Sequence, residues 1–333
     1  MRLSPRDGQD GSVSDTGVPV IDLAPWFSGS DEERQALADE VDRILQRVGF
    51  LVVTGHGVPA DLPGRVRSLG REFFALPRAD KQALSSRVGG RGWLGIGAEA
   101  NGLSEGTQTA PDLKESFIVG AQGPAREGPD GAWFVPNAWP TQVPDLQPVL
   151  TDYLDRMRVL ADELLALFSL AMGEDVGFLR RFTMAPSWSF QINWYPSIKV
   201  TGAPATNQFR IGPHTDFGTL TILDRQPGDG GLQIDIDGEG WVDAPHVPGG
   251  LIINTGDLIA RWTGERWRSN RHRVLPPPAS APDEELMSLV YFFEADPEAM
   301  VVPLAPPRGR REDLAAVRAG DFVRARYDAI TLS

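Results

Sequence analysis

The chain has 333 residues, 41% of them apolar and 23% charged, with no cysteine and a formal net charge of −13 at pH 7. The missing cysteines exclude disulfides, zinc ribbons, iron–sulfur clusters and thiol nucleophiles, so any bound metal must be held by histidine and carboxylate side chains. The acidic balance opposes a polyanionic partner and no apolar run is long enough to cross a bilayer, so neither nucleic acid nor membrane is an expected partner.

Residues 1–17, "MRLSPRDGQDGSVSDTG", are polar and lack the apolar segment of a secretory signal. They read as a flexible leader, and the expected compartment is the cytoplasm. "VPVIDLAPW" (18–26) reads as a short strand ending at a turn. In "SDEERQALADEVDRILQRVGF", Ser30 and Glu33 have capping-box spacing, and Leu37, Val41, Ile44, Leu45 and Val48 recur at helical intervals up to Gly49. "FLVVTGHGV" follows as a buried strand.

Residues 60–86 and 144–182 carry two further helical patterns, the second long and strongly apolar. The Gly-, Pro- and Trp-rich segment 87–143 between them predicts irregular structure with short strands. From 187 onward the runs "WSFQINWY", "LTILDR", "GLQIDI", "GWVDAP", "LIINTG", "ARWTG", "HRVLPP" and "MSLVYFF" are broken by Gly, Pro and Asp turns, which suits a β-sandwich or barrel. "DLAAVRAGDFVRARYDAI" predicts a closing helix. The organisation expected is a leader (1–17), a mixed helical region (18–143), a long packing helix (144–186), a β core (187–305) and a C-terminal helix (306–333). The sequence has no internal repeat.

The chain has only four histidines, and His214 stands two residues before Asp216 in "IGPHTDFGTLTIL". On a strand, residues two apart share a face, so both donors can reach one ion. A third ligand must come from another strand, and His56, His246 and His272 remain. His272, in "RWRSNRHRVLPP", faces the same core by alternation. Two imidazoles and one carboxylate on one face of an ion leave positions open for oxygen and an organic ligand, as in non-haem Fe(II) oxygenases.

Three segments in this order, "PHTDFGTLTIL", "GGLIINTGDLIARWTGERWRSNRHRV" and "SLVYFFEADPEA", together with "VPVIDLAPW", "GFLVVTGHGVP", "DLKESF" and "INWYP" upstream, resemble the isopenicillin N synthase-like family of Fe(II)/2-oxoglutarate-dependent oxygenases. The resemblance covers nearly the whole chain after residue 17. It implies a mixed α/β (α+β) fold, with a distorted double-stranded β-helix (a cupin-like jelly roll) as core and N-terminal helices packed outside. It implies Fe(II), 2-oxoglutarate and O2 as cofactors, with His214, Asp216 and His272 as catalytic metal ligands, and Asn193, Tyr195 and Ser288 in the cosubstrate pocket.

One departure stands out. The family holds the distal carboxylate of 2-oxoglutarate with an arginine two residues before a serine, and here "EELMSLVYFF" puts Leu286 in that place before Ser288. A buried carboxylate needs a cationic partner to offset its desolvation. Arg210, Arg271 and Arg273 are the substitutes considered. Three readings stay open: a 2-oxoglutarate-dependent oxygenase of a small molecule in bacterial secondary metabolism, an iron oxidase of the same fold that dispenses with 2-oxoglutarate, and a catalytically silent binding protein. Oligomeric state is not legible.

The remaining features read as structural. His56 is expected at a turn with its hydrogen bonds satisfied, and His246 in solvent. "GIGAEA" (95–100) follows no strand and opens no βαβ unit, which rejects a dinucleotide site. Lys114 and Glu115 read as an ion pair or as substrate contacts. GxSxG and HExxH are absent. Among nine tryptophans, Trp188, Trp194 and Trp262 are expected to approach the cavity.

Overall fold

The structure, a computed structural model, describes residues 17–85, 90–106, 109–124 and 129–330; all of the expected leader but Gly17 lies outside them. β1 (Val20–Asp22) leads through α1 (Ala24–Ser28) into α2 (Asp31–Arg47). The capping box forms as its spacing predicts. The Glu33 N–H donates to Ser30 Oγ, and the Ser30 N–H donates to the Glu33 carboxylate. Gly49 follows the helix at φ +70°, where an added Cβ would sit 2.4 Å from the Arg268 carbonyl oxygen, so only glycine fits.

β2 (Phe50–Thr54), α3 (Leu62–Phe74) and α4 (Arg78–Gln82) come next. Within 87–143 the described residues form β3 (Gly92–Leu94), β4 (Glu115–Gly120) and two short 3-10 turns. The long apolar pattern becomes α5 (Leu146–Ala171), which is shorter than the 144–186 span. Gly173, at φ +80°, takes the chain out of the helix.

β5 (Trp188–Tyr195), α6 (Ile198–Thr201), β6 (Ile211–His214), β7 (Leu220–Arg225), β8 (Leu232–Ile236), β9 (Gly240–Asp243) and β10 (Leu251–Thr255) follow, then α7 (Asp257–Trp262), β11 (His272–Val274), β12 (Leu286–Phe293), β13 (Met300–Val301), β14 (Val317–Arg318) and α8 (Ala319–Ile330).

Two expectations need correction here. "ARWTG" is not a strand: Ala260, Arg261 and Trp262 end α7, in which Leu258, Ile259 and Trp262 are buried at helical spacing. The closing helix begins only at Ala319. Val317 and Arg318 pair with β13, and the N–H groups of Ala319 and Gly320 donate to the carbonyls of Ala299 and Pro297.

The strands make an eight-stranded sheet of order β1-β2-β10-β7-β12-β5-β4-β3 and a four-stranded sheet of order β6-β11-β8-β9. All pairings are antiparallel except β1 with β2. These two facing sheets are the jelly roll, and α2, α3 and α5 cover the outer face of the larger one. Between the sheets, Phe50, Val52, Ile252, Leu232 and Ile234 form a small apolar core at one end.

Candidate metal centre

His214 closes β6 and His272 opens β11, and the two are directly paired across the small sheet with ring centroids 4.2 Å apart. Each ring is fixed from behind: His214 Nδ1 lies 2.8 Å from the Gly212 carbonyl oxygen and His272 Nδ1 lies 3.2 Å from that of Asn270. A carbonyl only accepts, so each Nδ1 carries the proton and each Nε2 keeps its lone pair for a metal. Burial lowers the pKa of His214, more than the nearby Asp216 carboxylate raises it.

Asp216 does not lie on the strand with His214. β6 ends at His214, and Asp216 sits in the loop that follows. The loop is held by α7, whose Asp257 N–H donates to the Asp216 carbonyl at 2.8 Å and whose Leu258 N–H donates to Gly218 at 3.1 Å. A helix start shut away from water needs acceptors for its first N–H groups, and this loop supplies them. Asp216 Oδ2 accepts from Thr221 Oγ1 and from Asn254 Nδ2, each at 2.6 Å. Oδ1 is thereby turned toward the histidines, 3.8 Å from His214 Nε2 and 3.6 Å from His272 Nε2. Burial pushes the Asp216 pKa up, but the two imidazoles and the two donors outweigh it and hold the carboxyl below its ordinary value.

One ligand atom from each of the three residues falls within 4.8 Å of the others. Atoms bonded to one ion at about 2.1 Å stand at most about 4.2 Å apart, so the observed Oδ1–Nε2 separations already fit a shared cation. Nitrogen and oxygen donors with no thiolate suit ferrous iron. Behind the triad, Gly218 packs against Glu294 so closely that an added Cβ would stand 1.7 Å from Glu294 Oε2. Glu294 is buried, accepts from the Thr219 N–H at 3.2 Å, and is pushed up to about 8 by burial.

The triad opens on a cavity of about 1070 Å³, its open mouth included. Asn193, Tyr195 and Ser288, the expected cosubstrate residues, all line it. Ser288 is directly opposite Asn193 in the β12–β5 pairing, and Leu286 is opposite Tyr195. Asn193 Oδ1 accepts from Ser116 Oγ at 2.7 Å, and the Tyr195 side chain is hydrogen-bonded with those of Ser288 and Asn193.

None of the three substitute arginines is available. Arg210 is 1% exposed and donates to the Glu284 carboxylate at 2.7 Å. Arg271 faces Asp235, and Arg273 donates to Gln233 Oε1 and lies over Trp241. The cavity instead has two other cations, Lys114 and Arg225. Lys114 donates to Glu99 at 2.6 Å, while its neighbour Glu115 points the other way and pairs with Lys81 at 2.8 Å.

The tryptophan expectation fails: Trp194 stacks on Phe74, Trp188 packs against Tyr291, and Trp262 is in α7 beside Phe182. His56 is satisfied at its turn by the Gly249 carbonyl and the Val58 N–H. His246 is exposed.

Sequence reasoning missed Glu99, Asn101, Arg225, Glu294 and Tyr327 as cavity residues. Arg225 carried a usable signal, because it shares the parity of Thr221 and Leu223 along β7. Glu99, Asn101 and Tyr327 reach the cavity from a loop, a 3-10 turn and the last helix, which no strand alternation connects.

A family model described as the 2OG-Fe(II) oxygenase superfamily matches residues 188–295, and one described as the non-haem dioxygenase in morphine synthesis N-terminal matches 18–142. Validamycin A dioxygenase of Streptomyces hygroscopicus subsp. limoneus is 42% identical over 92% of this chain and 84% of its own. The 2-oxoglutarate-dependent dioxygenase tropC of Talaromyces stipitatus is 30% identical over 88% and 91%. In fold, the chain is similar to a full-length Neurospora crassa protein crystallised in complex with alpha-KG and 5-formyluracil, with a TM-score of 0.80, 22% identity and coverage of 97% and 100%.

Proposed function

Because this chain belongs to the 2OG-Fe(II) oxygenase superfamily, we propose that His214, Asp216 and His272 hold its ferrous ion and that Asn193, Tyr195 and Ser288 line the seat of its cosubstrate. The chain is an Fe(II)/2-oxoglutarate-dependent oxygenase of a small molecule. The oxidase without 2-oxoglutarate and the silent binding protein find no support among these relatives. The convergence of two buried imidazoles and one buried carboxylate carries the assignment of the ligands.

A bound ferrous ion would bring 2-oxoglutarate and O2 together, with O2 as the four-electron oxidant: two electrons come from the 2-oxo acid as it becomes succinate and CO2, and two from the substrate. The chain's own residues do the rest. The Nε2 lone pairs and Asp216 Oδ1 would hold a ferrous ion with three donors and leave its remaining positions to reactants. Phe50, Leu223, Val290 and Phe292 make part of the inner wall apolar, which disfavours water beside them. The Glu99–Lys114 pair, Asn101 and Gln191 add charge and amides to the lining. This suits a polar small molecule, and validamycin A, which appears in the name of the 42%-identical relative, is the first candidate. We place the reaction in the cytoplasm, where no helix of the described residues is long and apolar enough to tie the chain to a membrane.

The test is anaerobic addition of Fe(II) and then 2-oxoglutarate, followed by a succinate assay in air with polar candidate substrates. A visible charge-transfer band and substrate-stimulated succinate support the reading. Iron uptake without response to 2-oxoglutarate overturns the cosubstrate seat, and loss of neither band nor turnover in His272→Ala overturns the ligand set.

A further inference from the structure

The missing arginine at position 286 leaves the cosubstrate's distal carboxylate without a cation on β12. The pairing of the large sheet identifies where that cation comes from. Ser288 faces Asn193 on β5 on one side and Arg225 on β7 on the other, so Arg225, Ser288 and Asn193 form one row across three strands. Residues directly paired point to the same face, and all three line the cavity. Leu286, two residues before Ser288 on that face, is therefore a diagonal neighbour of Arg225. Diagonal neighbours on a sheet are about 7–8 Å apart, well within the reach of an arginine side chain.

The surroundings of Arg225 are those of a cation kept for a ligand. Of the two cations that line the cavity, Lys114 is paired with Glu99, whereas Arg225 forms no ion pair among the described residues. The acid beside it in sequence, Asp224, belongs to the opposite face and is bonded to Arg67. Arg225 Nη2 donates to the Ala244 carbonyl at 2.5 Å, which ties one corner of the guanidinium to the segment after β9. Nε is buried and has no acceptor. Burial depresses its pKa more than the nearby Asp243 carboxylate, which is not in ion-pair contact, raises it. The Tyr195 side chain, hydrogen-bonded with Ser288, belongs to the adjacent row, opposite Leu286.

We propose that Arg225 receives the distal carboxylate of 2-oxoglutarate, with Ser288 and Tyr195 beside it, so that the anchoring cation has moved from β12 to the neighbouring β7. The inference rests on the reading of this cavity as the cosubstrate seat. The exchange is self-consistent: an arginine at 286 and one at 225 would press two guanidiniums on one carboxylate, and the leucine at 286 fills the space beside the single one. A planar guanidinium binds a carboxylate through two N–H groups, which Lys114, a point charge already paired, would not reproduce.

The experiment uses the full chain loaded anaerobically with Fe(II) and reads the charge-transfer band during titration with 2-oxoglutarate, and separately with 2-oxopentanoate, which has a methyl in place of the distal carboxylate. Wild type is expected to prefer 2-oxoglutarate strongly. Arg225→Met should weaken 2-oxoglutarate by about 100-fold or more, the size seen when one partner of a buried charge pair is removed, and leave 2-oxopentanoate within about threefold. The double variant Arg225→Met/Leu286→Arg, which returns the cation to β12, should regain most of the preference. Unchanged Fe(II) affinity before the 2-oxo acid is added shows that each variant is folded. A preference that survives in Arg225→Met, or that is lost instead in Lys114→Met, overturns the proposal. No band in wild type with 2-oxoglutarate overturns the cosubstrate seat first and this inference with it.

Discussion

Along β5, β7 and β12, most side chains that face α5 and its neighbours are apolar and buried, such as Phe190, Ile222 and Leu289, while the alternate residues facing inward include Asn193, Arg225 and Ser288. One face is a core and the other is a site, although the same backbone ladder carries both. The outer face derives its stability from area removed from water, and its residues are interchangeable within limits of volume. The inner face works through donors whose direction is fixed by a partner: Thr221 and Asn254 aim Asp216, and two backbone carbonyls aim the imidazoles. A change on the first face should thus cost stability and spare chemistry, and a change on the second should do the reverse.

The largest effect that separates the faces is expected from Asp216→Ala, which removes the only carboxylate of the triad. Iron-dependent succinate formation should be abolished, while circular dichroism and the thermal transition show a folded protein; retained turnover would break the ligand assignment. On the outer face Phe117→Ala, at a site with 0% exposure, should cost about 3–5 kcal/mol in denaturant unfolding. Whatever fraction stays folded should bind Fe(II) as wild type does, and a large loss of iron affinity in that fraction would erase the distinction between faces.

Glu294 gives a pH test. Its carboxyl is raised from 4.5 to about 8 in the fold, so the folded state prefers the proton. Its stabilising contribution is full below about 4.5 and is lost as the pH rises through about 8, an effect on the order of a few kcal/mol. The metal-free wild type should therefore lose stability relative to Glu294→Gln across this window; parallel stability curves for the two would count against a protonated Glu294. A smaller effect is expected from Asn254→Leu, which removes one of the two donors that orient Asp216. Iron affinity should fall by about 10- to 100-fold with the ligands intact. His246→Ala, at an exposed position that is no metal ligand but lies within electrostatic range of Arg225, should leave iron affinity unchanged.

Much of this difference was legible beforehand. The capping box at Ser30 and Glu33, the long apolar α5 and the run of short strands are local patterns, and each formed close to where its spacing placed it. Strand alternation also contained the answer on the tryptophans: Trp188 and Trp194 share the parity of Phe190 and Ile192, so they had to face away from Asn193 and Tyr195. The two places where a strand was expected and did not form have a common cause. Asp216 and the "ARWTG" segment complete each other, since the loop carbonyls at 216–218 accept the first N–H groups of α7, and no local pattern in either segment reports its partner.

By itself the sequence determined the class of element at most positions, the absence of thiolate chemistry and the short set of histidines from which a metal site had to be drawn, because composition and periodicity act within a few residues of chain. The sequence already pointed to His272, but only the tertiary structure decided that it sits directly opposite His214 in the small sheet, that Arg210 is consumed by Glu284, and that Arg225 lies in the row of Ser288. Those facts depend on which strands pair and in what register, and register is set by the burial of a whole face at once.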